Sequence, residues 1–269
     1  MTIAVIMVNV DFDPASKARI TLAAELALRF DSLLIGVAGW PLMTDHGENV
    51  SEHSFPSARS AEWELNNLGE KFRNLARGIT DRLEWRSSMN FPREVIATEA
   101  RAADLVIIGR DLLPGDIYHT YDPGTIILAA GRPVMVVPNQ VEHVEASRIL
   151  IAWKDTREAR RAVRDALPFL KRAKEVSIAV ARRPGSEGAD SQIRDVAQYL
   201  SRHQVIVGKQ FSTLANDDEE AILLDLAEDH DINLIVAGAY GRTRLSEWIF
   251  GGVTRHLLLN SPVPCLFSN

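Results

Sequence analysis

Residues 3–10 (Ile-Ala-Val-Ile-Met-Val-Asn-Val) are almost continuously apolar and rich in β-branched side chains. That is the pattern of a strand buried on both faces of a parallel sheet. Comparable runs recur at 32–38, 104–109, 134–138, 148–153, 175–181, 205–211, 232–237 and 263–267, and 82–89 is a weaker one. Between them, apolar residues fall at helical spacing over 18–30, 61–78, 92–103, 156–172, 191–203, 217–229 and after Gly252. Asp13-Pro14 marks the first helix start. In 61–78, Trp63, Leu65, Leu68, Phe72 and Leu75 predict a stripe facing the core. Strand and helix alternate along the whole chain, which predicts an α/β protein with a mainly parallel sheet. Residues 39–58 have no clear period and read as a mobile excursion. Its His46 and His53 lack the spacing of a metal-ligand pair, so no metal is expected.

The order of elements begins again after a polar stretch, 139–147, which reads as a linker between a unit at 1–140 and another at 147–269. The two units superpose by counting. Asp104-Leu-Val-Ile-Ile-Gly109 lies over Asn233-Leu-Ile-Val-Ala-Gly238, and with the same offset and no gap Pro133 lies over Pro262. Thr125 then falls on Thr254, Asp122 on Gly251, Pro123 on Gly252 and Leu112 on Gly241.

The chemistry-bearing stretch is the last one. An apolar strand ends at Gly238, Gly241 follows, and Gly251-Gly252 opens a helix. Glycines let the backbone come close to an anion, and the free N–H groups of a helix start favour one. A phosphate cradle and a tight strand-to-helix turn both fit the spacing.

The pattern Gly238-x2-Gly241-x9-Gly251 resembles the nucleotide loop of the universal stress protein family, and element order extends that resemblance over nearly the whole chain as two such domains in tandem. The resemblance implies two doubly wound five-stranded parallel sheets of strand order 3-2-1-4-5, Rossmann-like and adenine nucleotide alpha hydrolase-like. It also implies association through the last strand, hence an internal pseudo-dimer, and a homodimer of chains. In nucleotide-binding members an aspartate ending the first strand contacts the ribose and adenine side. The first unit keeps that residue as Asp11 but has Leu112, Asp122 and Pro123 where glycines would hold phosphate, so it reads as structural. The second unit keeps the glycines, and Lys154 stands at the aspartate's place with Asp155 beside it. Where the family has Ser or Thr after the last glycine, this chain has Gly252, and the nearest hydroxyl is Thr254. The implied ligand is ATP, with Mg²⁺ as its companion, held in the second unit by Gly238, Gly241, Arg242, Gly251, Gly252, Val253, Thr254, Lys154 and Asp155. Arg244 and Arg255 are further cationic candidates.

Composition narrows the function. The chain of 269 residues carries a formal charge of −6, which argues against a nucleic-acid partner. No apolar run approaches the ~18 residues of a membrane span, and the N-terminus has no basic leader, so a cytoplasmic protein is expected. The lone Cys265 lies in the last apolar run and reads as core. No nucleophile elbow, Walker loop or zinc-protease helix is present. The expectation is a non-enzymatic stress-response protein that binds or senses an adenine nucleotide. The alternatives are a scaffold acting through protein contacts and a slow ATPase.

Overall fold

The computed structural model describes residues 2–42, 58–110, 121–182, 189–214, 219–240 and 252–269. The first unit contains β1 (Val5–Asn9), α1 (Ser16–Phe30), β2 (Leu33–Gly39), α2 (Ala58–Ala76), β3 (Leu83–Ser88), α3 (Pro92–Glu99), β4 (Leu105–Gly109), α4 (Pro123–Ala129) and β5 (Val134–Val137). The second contains β6 (Arg148–Trp153), α5 (Arg157–Asp165), α6 (Leu167–Leu170), β7 (Glu175–Arg182), α7 (Ala189–Arg202), β8 (Val207–Leu214), α8 (Glu219–Asp229), β9 (Leu234–Gly238), α9 (Gly252–Asn260) and β10 (Cys265–Ser268).

The strands form one sheet in the order β3-β2-β1-β4-β5-β10-β9-β6-β7-β8. Each half is therefore the expected 3-2-1-4-5 arrangement. Every pairing within a half is parallel, and the halves meet through an antiparallel pair in which Val136 faces Cys265 and Val134 faces Phe267. Apolar side chains cover both faces of the sheet. One layer runs from Ile20 and Phe72 through Ile151 to Phe169 and Leu200, the other from Ile96 and Ile126 through Ile235 to Leu257 and Phe267. Both layers cross the junction without interruption. Cys265 is 2% exposed within it, a packing residue whose thiol is pushed up to about 12 by burial.

Equivalent hydrogen bonds define the repeat more sharply than counting does. Asp104 Oδ2 accepts from the amides of Ala4 and Val5 at 2.8 and 3.0 Å. Asn233 Oδ1 accepts from Ser147 and Arg148 at 2.9 and 3.0 Å. Register agrees, since Ile6 pairs with Leu105 and Ile149 with Leu234. At the last strands the gap-free superposition fails. Val106 donates to the Pro133 carbonyl and Ile235 to that of Pro264, both at 3.0 Å. Pro133 is thus the counterpart of Pro264 and not of Pro262, because α9 has nine residues where α4 has seven.

Other expectations are corrected by packing. The helix expected over 156–172 breaks between α5 and α6: Pro168 lies in the first turn of α6, where its missing N–H is harmless but a continuous helix would lose a bond. The helix from Pro92 ends at Glu99 and tightens into a 3₁₀ turn over Ala100–Ala102. On α2 the buried stripe is Ala61, Leu65, Leu68, Phe72 and Ala76, whereas Trp63 is 61% exposed. Two residues before Leu65 is about 200° around a helix, so Trp63 faces away. The excursion with His46 and His53 falls mostly on 43–57, outside the described residues.

The stretch read as a linker is packed onto the protein. Val144 and Ala146 are buried, His143 Nδ1 lies 2.8 Å from Glu25 Oε2 of α1, and Arg29 donates to the Glu145 carbonyl at 2.9 Å. Beside it, Arg172 stacks 4.4 Å over the Phe30 ring, and Phe30 meets Phe169 edge-on at 5.0 Å.

Candidate functional site

Ligands of doubly wound sheets bind beyond the carboxyl ends of the strands, where strand order reverses. Those places lie between β1 and β4 in the first half and between β6 and β9 in the second.

In the first half the protein fills this place itself. Arg19 of α1, 4% exposed, donates from Nε to the Asn9 carbonyl at 3.0 Å and from its NH2 group to Asp11 Oδ2 at 2.5 Å. Burial opposes its charge, but Asp11, with Tyr121 and Asp13, outweighs that and holds the guanidinium pKa above its ordinary value. Asn9 Nδ2 donates to Asp11 Oδ2 at 2.8 Å and to the Tyr121 hydroxyl at 3.3 Å. The Gly109 amide, which ends β4, donates to the same hydroxyl at 3.1 Å. Burial pushes that phenol up to about 12, so it stays neutral at physiological pH. Lys71 Nζ donates to the Asp11 carbonyl at 3.3 Å. A Cβ on Gly109 would stand 2.2 Å from an Arg19 guanidinium nitrogen; that glycine makes room for arginine. Asp122, expected to repel phosphate, is the N-cap of α4 and accepts from the Thr125 amide and hydroxyl at 2.8 and 2.9 Å, with Pro123 in the first turn. Leu112 lies outside the described residues. Pattern reading missed Asn9, Arg19 and Tyr121. The available signal was an arginine on the apolar face of α1, eight residues after an aspartate.

In the second half the same positions carry different chemistry. The capping bonds and strand register that align Ala4 with Ser147 and Ile6 with Ile149 set Asn9 on Ala152, Asp11 on Lys154 and Arg19 on Ala162. The helices continue in step, since buried Ser16, Arg19, Ile20 and Ala23 match buried Ala159, Ala162, Val163 and Ala166. With alanine in place of arginine, α5 closes directly on the strand: a Cβ on Gly238 would lie 2.4 Å from the Ala159 amide nitrogen and 2.7 Å from the Glu158 carbonyl carbon. Gly238 is thus required by helix–strand packing. Thr156 caps α5, accepting from the Ala159 amide at 3.2 Å. Glu158 is 2% exposed and bonded to Arg157. Burial pushes its pKa up, but bonds from Arg157, its own amide and Thr156 outweigh burial, and the net shift is downward.

The expected site residues divide accordingly. Lys154 and Gly238 share one end of the sheet, at the adjacent strands β6 and β9. Lys154 is exposed, and its ammonium has no partner among the described residues. Asp155 is engaged by Arg160 at 2.5 Å. Gly252 is exposed as the first residue of α9, Val253 is half-buried, Thr254 is 7% exposed and Arg255 is exposed. Gly241, Arg242, Arg244 and Gly251 lie outside the described residues. Tyr240 follows β9 with φ of 56°, and its hydroxyl would be 2.2 Å from a Cβ on Gly124 of the first half. Among the described residues no group of three His, Cys, Asp or Glu side chains is placed to hold a metal, and no helix is long and apolar enough to cross a membrane.

Two doubly wound units sharing one sheet, each with its ligand end at a strand-order reversal, define the class of protein. Residues 145–268 match the universal stress protein family by sequence. Over its whole length the chain is similar in structure to a universal stress protein from Archaeoglobus fulgidus DSM 4304, with TM-score 0.72, 14% identity and 98% of each chain covered. It is also similar to a functionally unknown protein from Pseudomonas aeruginosa PAO1, with TM-score 0.61, 17% identity, and 99% of this chain and 92% of the other covered. No curated protein matches it. The chain has the architecture of a tandem universal stress protein, its second half matched by sequence and its first by fold.

Proposed function

We propose that this is a non-enzymatic stress-response protein whose second half binds an adenine nucleotide, ATP in the first instance, and signals through the bound state. The observation that carries the reading is the contrast between the two ligand ends. In the first half Arg19 and Tyr121 take up the Asp11 carboxylate and the Gly109 amide. In the second, exposed Lys154 follows β6 beside the end of β9, no arginine fills the place of Arg19, and α9 opens on exposed Gly252. Backbone N–H groups at a helix start and a nearby ammonium favour phosphate. Gly241, Arg242 and Gly251 complete the cradle in this reading, and Mg²⁺ enters on the phosphate oxygens of the nucleotide. No side chain is assigned as a base for water, which is why the reading is binding and not hydrolysis.

The test is calorimetry with ATP up to millimolar concentration, beside native mass spectrometry of freshly purified protein. Expected are saturable heat and one nucleotide per chain, because the first half is filled. Gly252→Glu, at an exposed helix start, places a carboxylate near the phosphates and should weaken binding about tenfold or more. Gly238 is the wrong position for such a test, since any side chain there drives into the backbone of α5. If wild-type protein gives no saturable heat and carries no nucleotide, the account passes to a scaffold that works through protein contacts.

A further inference from the structure

We propose that the second-half site takes nucleotides that carry a phosphate on the ribose, at the 2′ or 3′ oxygen, and that Lys154 pairs with that phosphate. The inference rests on the reading of this end of the sheet as a nucleotide site and names the class of nucleotide.

The two halves supply their own comparison. At the end of its first strand the first half has an acid matched by a buried base, Asp11 with Arg19 at 2.5 Å. The second half has exchanged both members: Lys154 occupies the place of Asp11, and Ala162, fully buried, that of Arg19. An acid–base pair has given way to a single base, and the third polar member, Asn9, has become Ala152. A carboxylate at a sugar-facing position accepts the two hydroxyl protons of a free ribose. An ammonium has three donors and no acceptor, so it leaves those protons without a partner and is matched by an anion. The same exchange of acid for base separates dinucleotide sites that bind a free 2′-hydroxyl from those that bind a 2′-phosphate. Nearby acids do not neutralise the ammonium. Asp155 is held by Arg160 at 2.5 Å and Glu158 by Arg157.

The experiment compares two ligands with equal numbers of phosphates on the intact protein: ATP, and adenosine 5′-diphosphate bearing a 3′- or 2′-phosphate. By calorimetry the ribose-phosphorylated compound should bind at least about tenfold tighter than ATP, the scale of one charge-assisted contact. Lys154→Asp should invert the order, and circular dichroism should show this exposed substitution leaving the fold intact. If wild-type protein binds ATP as tightly or tighter, the inference is overturned while the proposed nucleotide site stands. It is equally overturned if Lys154→Asp keeps the wild-type order. If neither compound binds, the proposed function falls and this inference falls with it.

Discussion

Arg19 decides more about the first half than any other single side chain. Its guanidinium is buried at the place a ligand would take and is the partner of Asp11, itself only 19% exposed. Deleting one member of a buried pair leaves the other charged and unsatisfied, which typically costs about 3–5 kcal/mol, whereas replacing both with apolar groups is often near neutral. Arg19→Met should therefore lower the denaturant midpoint strongly, and adding Asp11→Leu to it should restore much of the loss. Equal destabilisation in the single and double variants would show that the pair matters only through shape. Sequence periodicity hid this residue, because a helix face is scored by its apolar majority. A lone arginine at an inward position looks like an irregularity until the strand end beneath it is seen.

At the scale of elements, strand and helix identities were legible because buried parallel strands are short, unbroken and β-branched, as residues 148–153 are. What escaped was set by contacts between elements. Pro133 and Pro262 look equivalent along the chain, but the sheet pairs Pro133 with Pro264, and only the extra turn length of α9 explains the slip. Trp63 looked buried because it is large and apolar, yet the stripe under α2 passes through Leu65 and Leu68 instead. The exchange of Asp11 for Lys154 was visible, since both follow a recognisable strand; its correlate, Arg19 for Ala162, needed the register. The linker was read by its polarity alone, although its backbone is docked on α1. There the carboxylate of Glu25 bonds His143 and raises the imidazole pKa. A raised native pKa means that this contact stabilises fully below the ordinary histidine value near 6.5 and fades as pH rises through the native one. Stability measured from pH 6 to pH 8 should accordingly decline with a small slope in wild-type protein, and His143→Ala should flatten that component. An unchanged slope would place the pH dependence elsewhere.

For the whole molecule, the antiparallel junction of β5 and β10 uses up, inside one chain, the last-strand edge through which association was expected from the resemblance. A homodimer of chains, also expected from it, would have to form on another surface. The junction also joins both apolar layers, so the halves should melt together. Trp40 and Trp85 report on the first half and Trp153 on the second, and fluorescence should follow the same denaturant curve as far-UV circular dichroism. Two separated transitions would mean that the shared layers do not couple the halves. Antiparallel pairing has a directional result too: the carboxyl ends of the two sets of strands point away from each other. On the proposed function the molecule would have a sealed pole and a receptive one. A binding partner that distinguishes loaded from empty protein would then approach from the receptive pole, leaving the opposite cap as an invariant handle for anchoring or assembly.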